Sequence, residues 1–236
     1  MPSETCLALL LDGPMQSWGH ASRFERRTTA LHPTRSGVFG LISAALGIDK
    51  HACDEHVQLA RLNELTVTTV KLDRRDDRGR KIPIQRLEDY HTVTGIRRAS
   101  GKVDKDATVQ TYRHYLLDAR FGVLLEGPET LLGEIATALR NPKWGVWLGR
   151  KCCLPASPVL AGPPGPFSDA WLRLLQCAGF AGAESLEQFD RVLETAPSEP
   201  GADLIEDTPL GYGRPIGERH APRWVRHVPG TPILTP

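Results

Sequence analysis

Apolar and polar positions along the chain follow two rhythms, and each predicts its own kind of element. Thr5, Cys6, Leu7, Ala8, Leu9, Leu10 and Leu11 form a short apolar run stopped by Asp12-Gly13-Pro14. That run predicts a buried strand over 5–11. A polar loop with Arg23, Arg26 and Arg27 follows. Residues 38–46 read as a largely buried helix. Thr34 or Ser36 can cap it, because a hydroxyl accepts a free N–H of the first turn, and Gly47 suits a left-handed terminator. Residues 51–62 read as a second helical piece. Residues 65–72 alternate apolar with polar and are rich in β-branched side chains, a strand pattern.

The next stretch, about 73–113, is hydrophilic and broken by Gly79, Pro83, Gly95 and Gly101. It predicts a projecting excursion with the character of a long β-hairpin. Residues 115–125 read as one strand. Leu131, Leu132, Ile135, Ala136 and Leu139 carry helical spacing over 130–140, ended by Asn141-Pro142. Residues 147–160 return as a last strand. This βαββαβ order predicts an α+β protein with a ferredoxin-like, RRM-like palm over 1–160 and an inserted hairpin. Beyond Pro163 the chain turns Gly/Pro-rich, with a short amphipathic helix over 169–178. Residues 161–236 read as an irregular C-terminal extension packed on the palm.

Composition narrows the class. Apolar residues make up 40% and charged residues 24%, which excludes a wholly disordered chain. No apolar run is long enough for a membrane span. The N-terminus lacks a basic segment followed by a long apolar one, so no secretory signal is expected. The five cysteines are odd in number and form no CxxC pair, which argues against a disulfide framework and a zinc ribbon. A reducing cytoplasm is the expected setting. The net charge of +1 hides segregation: residues 71–105 hold 11 basic against 6 acidic side chains, and residues 184–207 hold 8 acidic against Arg191 alone. Local basic stretches are what a polyanion meets, although a solvated charged surface gives the same composition.

Several segments carry candidate chemistry. After the first strand, Gln16 offers a donor and an acceptor and Trp18 a stacking face; equally, Trp18 can plug the edge of the core. Arg35, Ser36 and Gly37 stand at a helix start, where outward N–H groups favour an anion, or where an ordinary cap leaves an exposed Arg. Tyr90 and His91 combine an aromatic and an imidazole at the base of the excursion. They suit base stacking and phosphate contact, or proton transfer in a metal-free ribonuclease with Lys102 or Lys105. A satisfied structural hydrogen bond is the plainer role for His91 and His114. Tyr112 and Arg113 close the excursion, with Arg113 expected in the same groove as His91. Arg150 and Lys151 are surface charges or phosphate contacts, and Cys152 and Cys153 are packing residues. The late cluster Arg214, Arg219, His220, Arg223, Trp224, Arg226 and His227 suits RNA or an acidic neighbouring protein. No Walker loop, GxSxG or HExxH occurs, and no metal or cofactor is expected.

Five blocks in one order, LLLDGPMQSWG, PTRSGVFGLISAALG, DYHTVTG, TVQTYRHYLLDARF and WLGRKCCLP, resemble the Cas-five family of the RAMP superfamily. The likeness is to its CasD-type members in type I-E CRISPR Cascade complexes, and it spans roughly residues 5–160. The Gly/Pro-rich stretch over 161–180 does not match it. The resemblance implies an RRM-type palm with a thumb hairpin and a non-catalytic RNA-binding role in antiviral defence. Such a subunit caps the 5′ handle of the guide RNA, reaches the backbone subunit with its thumb, and contacts the large PAM-reading subunit. Target DNA is met only indirectly, and no membrane is involved. By the same resemblance Gln16, Trp18, Arg23, Arg35, Ser36, Gly37, Tyr90, His91, Tyr112, Arg113 and Arg150 are the expected RNA contacts. Endoribonuclease cleavage of repeat RNA, as in type I-C relatives, is the alternative. A pure protein-interaction scaffold is a third reading.

Overall fold

Apolar residues on alternate faces of the first strand decide where everything else packs. The computed structural model describes residues 5–19, 25–97, 101, 103–215 and 218–231, with the backbone alone for 96 and 103–107. Strand β1 (Thr5–Asp12) sends Leu7, Leu9 and Leu11 into one core and Cys6, Ala8 and Leu10 into another. Two-residue strands β2 (Met15–Gln16) and β3 (Arg26–Arg27) follow. Helix α1 (Arg35–Leu46) begins at Thr34, whose hydroxyl accepts from Gly37 N, and ends at Gly47 with φ 77°. Both ends meet the expectation from sequence. Helix α2 (Glu55–Leu62) and strand β4 (Thr66–Lys71) come next. The hydrophilic excursion is built from β5 (Arg74–Arg75), β6 (Lys81–Ile82), β7 (Gln85–Arg97) and β8 (Val103–Leu117).

Strand β9 (Arg120–Gly127) then runs antiparallel between β1 and β4. The apolar pattern over 115–125 is therefore not one strand. Asp118, at φ 49°, breaks it between β8 and β9, and Asp is among the few residues that adopt the left-handed region. Helix α3 (Glu129–Arg140) packs with α1 over the Leu7 face, where Phe39, Ile42, Leu132 and Ile135 are fully buried. Helix α4 (Phe167–Cys177) covers the opposite face with Trp171 and Leu174.

The chain between α3 and α4 departs from expectation. Instead of a regular strand over 147–160, it touches the free side of β1 through isolated antiparallel bridges, Leu9 to Leu160 and Cys6 to Gly165. The C-terminal part is also more regular than expected. Strands β10 (Arg191–Glu194), β11 (Ala202–Pro209) and β12 (His220–Val228) extend the main sheet beyond β4. The order is β1-β9-β4-β10-β12-β11, every neighbouring pair antiparallel.

Candidate nucleic-acid interface

Strand β8 organises the second sheet. It pairs with β7 along one side and, near its own end, with β2 and then β3 on the other. Tyr90 faces Tyr112 across the ladder, with ring centroids 5.2 Å apart. The guanidinium of Arg26 lies 4.8 Å from the Tyr112 centroid, a cation–π distance. Tyr90 is 53% exposed, so the stack presents an open aromatic face. Beside it His114 Nε2 pairs with Glu88 Oε2 at 2.6 Å.

Successive residues of a strand point to opposite sides, so the other face carries different chemistry. There Arg113 stands opposite Asp89 and in register with Arg27, and exposed His91 stands opposite Thr111. Arg150 reaches this face from the 147–155 loop. Its Nη2 donates to Arg27 O at 2.9 Å, and its guanidinium lies 5.0 Å from the Tyr115 ring. Gly149 makes the approach feasible: at φ 92°, a Cβ would stand 1.9 Å from Ser17 O. Arg113 Nε and Arg150 Nη1 are both buried without a hydrogen-bond partner among the described residues. Burial pushes the Tyr115 phenol upward, and its bond with Cys152 adds to this against the opposing pull of the Arg150 guanidinium, so Tyr115 is a neutral platform for Arg150.

Three expected contacts lie in the interior instead. Gln16 is fully buried, its amide donating to Leu11 O and Ala119 O while its carbonyl accepts from Trp18 Nε1. Trp18 is fully buried too, held by Thr29 and bridged to Ala30. These residues fasten the base of β8 from within the core. Arg35 is 4% exposed; its guanidinium pairs with Glu194 and donates to Asn63 O and Leu65 O. The start of α1 already has its anion, because Arg35 N donates to Asp207 Oδ2 at 2.7 Å. Gly37 serves packing: a Cβ there would stand 2.7 Å from the Trp18 ring. Gly37→Ala should therefore lower stability by about 1–3 kcal/mol in urea denaturation, the usual cost of an overpacked core. Ser36 is half-buried, its Oγ 3.4 Å from the capping hydroxyl of Thr34. Arg23 and Lys102 lie outside the described residues.

Local ion pairs also temper the basic excursion. Lys71 and Lys81 both meet Asp73, Arg80 meets Asp76, and Arg74 meets Asp12. Burial would raise the Asp73 carboxyl, but Lys81 and Lys71 outweigh it and hold it below its ordinary value. The late basic cluster is likewise turned inward in part, since Arg223 binds Asp207 and Glu194. Tyr90 and His91, adjacent on β7, point to opposite faces and do not form an acid–base pair on one phosphate. Among the described residues no group of His, Cys, Asp and Glu could hold a metal, and no helix is long and apolar enough to cross a membrane.

Sequence reasoning noticed Arg26 and Arg27 but did not place them at the site. Only the parallel register of β3 with β8 brings them there.

Comparisons with known proteins agree with one another. The family described as CRISPR-associated protein (Cas_Cas5) matches residues 6–224. The CRISPR system Cascade subunit CasD of Escherichia coli (strain K12) is 36% identical over 159 residues, which is 66% of this chain and 70% of that protein. A chain of a solved CRISPR RNA-guided surveillance complex superposes with a TM-score of 0.70 at 30% identity, covering 95% of this chain and 90% of its own. A crystal structure of a Cas protein gives 0.55 at 29% identity, over 96% of this chain and 99% of the other.

Proposed function

The chain belongs to the Cas5 family of CRISPR-associated proteins, and we propose from that premise that it is a Cascade subunit holding the 5′ handle of the guide RNA without cutting it. The observation that carries the RNA reading is the pair of buried N–H groups, Arg113 Nε and Arg150 Nη1, that have no acceptor among the described residues. A buried donor left unmade costs about 1–3 kcal/mol, and a phosphate oxygen supplies the acceptor with a charge-assisted bond. The Arg26–Tyr112–Tyr90 stack stands one strand-face away, where an unpaired base can lie on it. Phosphate contacts on one side of β8 and stacking on the other suit a single strand that wraps the ladder.

The finer architecture follows the same reading. Strands β1, β4 and β9 with α1 and α3 serve as an RRM-type palm over 1–160, with 161–236 as an extension that widens its sheet. The β7–β8 ladder serves as the thumb that reaches a backbone subunit, and the large subunit contacts the same assembly. Opposite pointing of Tyr90 and His91 favours holding over cleavage.

The test is fluorescence anisotropy of the full chain with an RNA carrying the repeat-derived 5′ segment of its own locus. Binding should weaken with salt, and Tyr112→Ala should cost about 1–3 kcal/mol, the value of one base stack. Site-specific cleavage of repeat RNA in EDTA, or no preference for this RNA over an unrelated one, would overturn the reading.

A further inference from the structure

The turn that carries Arg150 also brings two thiols together. Cys153 N donates to Arg150 O at 2.8 Å, and Leu148 N donates to Cys153 O at 2.8 Å. These bonds close a tight turn over 150–153, with the sulfurs of Cys152 and Cys153 4.0 Å apart. The two thiols are not equivalent. Cys153 is fully buried in the core, whereas Cys152 is exposed and donates through Sγ to the Tyr115 hydroxyl at 3.6 Å. Packing therefore accounts for Cys153 alone. The other cysteines stand elsewhere: Cys6 in the core beneath α4, Cys53 ahead of α2, and Cys177 at the end of α4.

Position couples this pair to the nucleic-acid interface. Arg150 and Cys152 share Tyr115, the guanidinium over the ring and the thiol at the hydroxyl. Upstream the turn has no slack, because Ser17 N donates to Leu148 O and Gly149 stands against Ser17 O. A change in the turn therefore falls on 150–152. The order of reaction is also set. The thiolate, not the thiol, attacks a disulfide. Burial, with Cys152 adding to it, pushes the Cys153 thiol up to about 12. Cys152, open to solvent, is the first to meet an oxidant.

We propose that Cys152 and Cys153 form a thiol switch on the Arg150 face, oxidised to a vicinal disulfide by a low-molecular-weight disulfide. The Cys152 thiolate attacks one sulfur of the oxidant and forms a mixed disulfide, while the first small thiolate leaves and takes up a proton. Cys153 then gives its proton to solvent, its sulfur attacks Cys152 Sγ, and the second small thiolate leaves. Two protein thiols are oxidised, and one small disulfide is reduced to two small thiols. Bonded sulfurs stand about 2 Å apart, so Cys152 Sγ moves toward the core and leaves Tyr115. That movement twists the turn and withdraws Arg150 from the ring. Adjacent Cα atoms stand about 3.8 Å apart, closer than the roughly 4.4 Å that a relaxed disulfide needs, so the bond is strained and a small thiol reverses it. The effect on RNA rests on the reading above; the thiol chemistry does not.

The experiment treats the full chain with oxidised glutathione, alkylates the remaining thiols and measures tryptic peptide masses. Residues 152–173 hold both cysteines and no Lys or Arg before Arg173, so they leave as one peptide. That peptide should be unalkylated and lighter by two hydrogens than its reduced form, and dithiothreitol should restore it. The oxidised protein should bind the repeat-derived RNA about tenfold to a hundredfold more weakly than the reduced one, the range for one charge-assisted contact. Cys152→Ser should bind like the reduced wild type and ignore the oxidant, although it keeps Cys53 and Cys177. Arg150→Ala should form the disulfide yet lose no further affinity. A lasting glutathione adduct, or a fully alkylated peptide, would overturn the disulfide. A complete disulfide with unchanged RNA affinity would overturn the coupling to Arg150. Failure of the reduced protein to bind this RNA would overturn the RNA reading, while the peptide mass still decides the thiol chemistry.

Discussion

Arg113→Ala combined with Arg150→Ala is expected to weaken RNA binding by about 3–6 kcal/mol, since each charge-assisted contact is worth about 1.5–3 kcal/mol. The two side chains converge on one face of β8, each with a buried N–H that no group among the described residues accepts. Losing both should also flatten the salt dependence. For single strands each neutralised phosphate contributes a slope of about −0.7, so two lost contacts should remove about 1.4 from it. Anisotropy titrations between about 50 and 200 mM salt measure both quantities. Arg61→Ala is the control, because Arg61, on α2, is committed to Glu134 on α3 and belongs to neither face of β8. Unchanged affinity in the double variant would put the RNA on another surface. The single variants should fall short of the pair in the same titration, and thermal melts separate lost binding from the lost cation–π contact of Arg150 with Tyr115.

What the sequence made legible was local. The cap of α1 needs only a hydroxyl three residues before an amide, and its end needs only a glycine; both can be read from Thr34 and Gly47. The alternation of β4 and the helical spacing of α3 are also properties of short windows. The break at Asp118 was not legible, because the apolar pattern continues across it and one backbone torsion decides it. Nor was the extension of the main sheet by β10, β12 and β11, since antiparallel pairing across such separations leaves no periodic trace.

The site divides in the same way. Tyr90, Tyr112, His91 and Arg113 sit on the ladder that their hydrophilic, glycine-broken surroundings predicted. Their division between two faces follows from strand geometry once β7 and β8 are known. Arg26 and Arg27 became site residues only through a parallel register that no motif encodes. Arg35 is the instructive case. An arginine at a helix start looks the same in sequence whether it awaits a phosphate or a carboxylate, and here the carboxylates stand 159 and 172 residues away, in Glu194 and Asp207.

That burial yields the largest effect expected on folding. Asp207 is 1% exposed; it accepts Arg35 N at 2.7 Å and Arg223 Nε at 2.6 Å. Glu194 ties the same two arginines together and accepts from Val67 N. The cluster therefore joins α1, β4, β10, β11 and β12. Asp207→Ala leaves a buried guanidinium with less than its counter-charge and a helix start without its anion. Breaking a buried pair from one side costs about 3–5 kcal/mol, more than the pair adds over an apolar substitute. Chemical denaturation should show that loss as a lower midpoint with an unchanged slope. Arg35→Ala should destabilise in the same direction, yet leave the RNA affinity of the folded protein unaltered, because its guanidinium points into the fold. An Arg35→Ala protein that keeps its stability but loses RNA would return this arginine to the RNA surface and place the carboxylate cluster in the interface rather than the core.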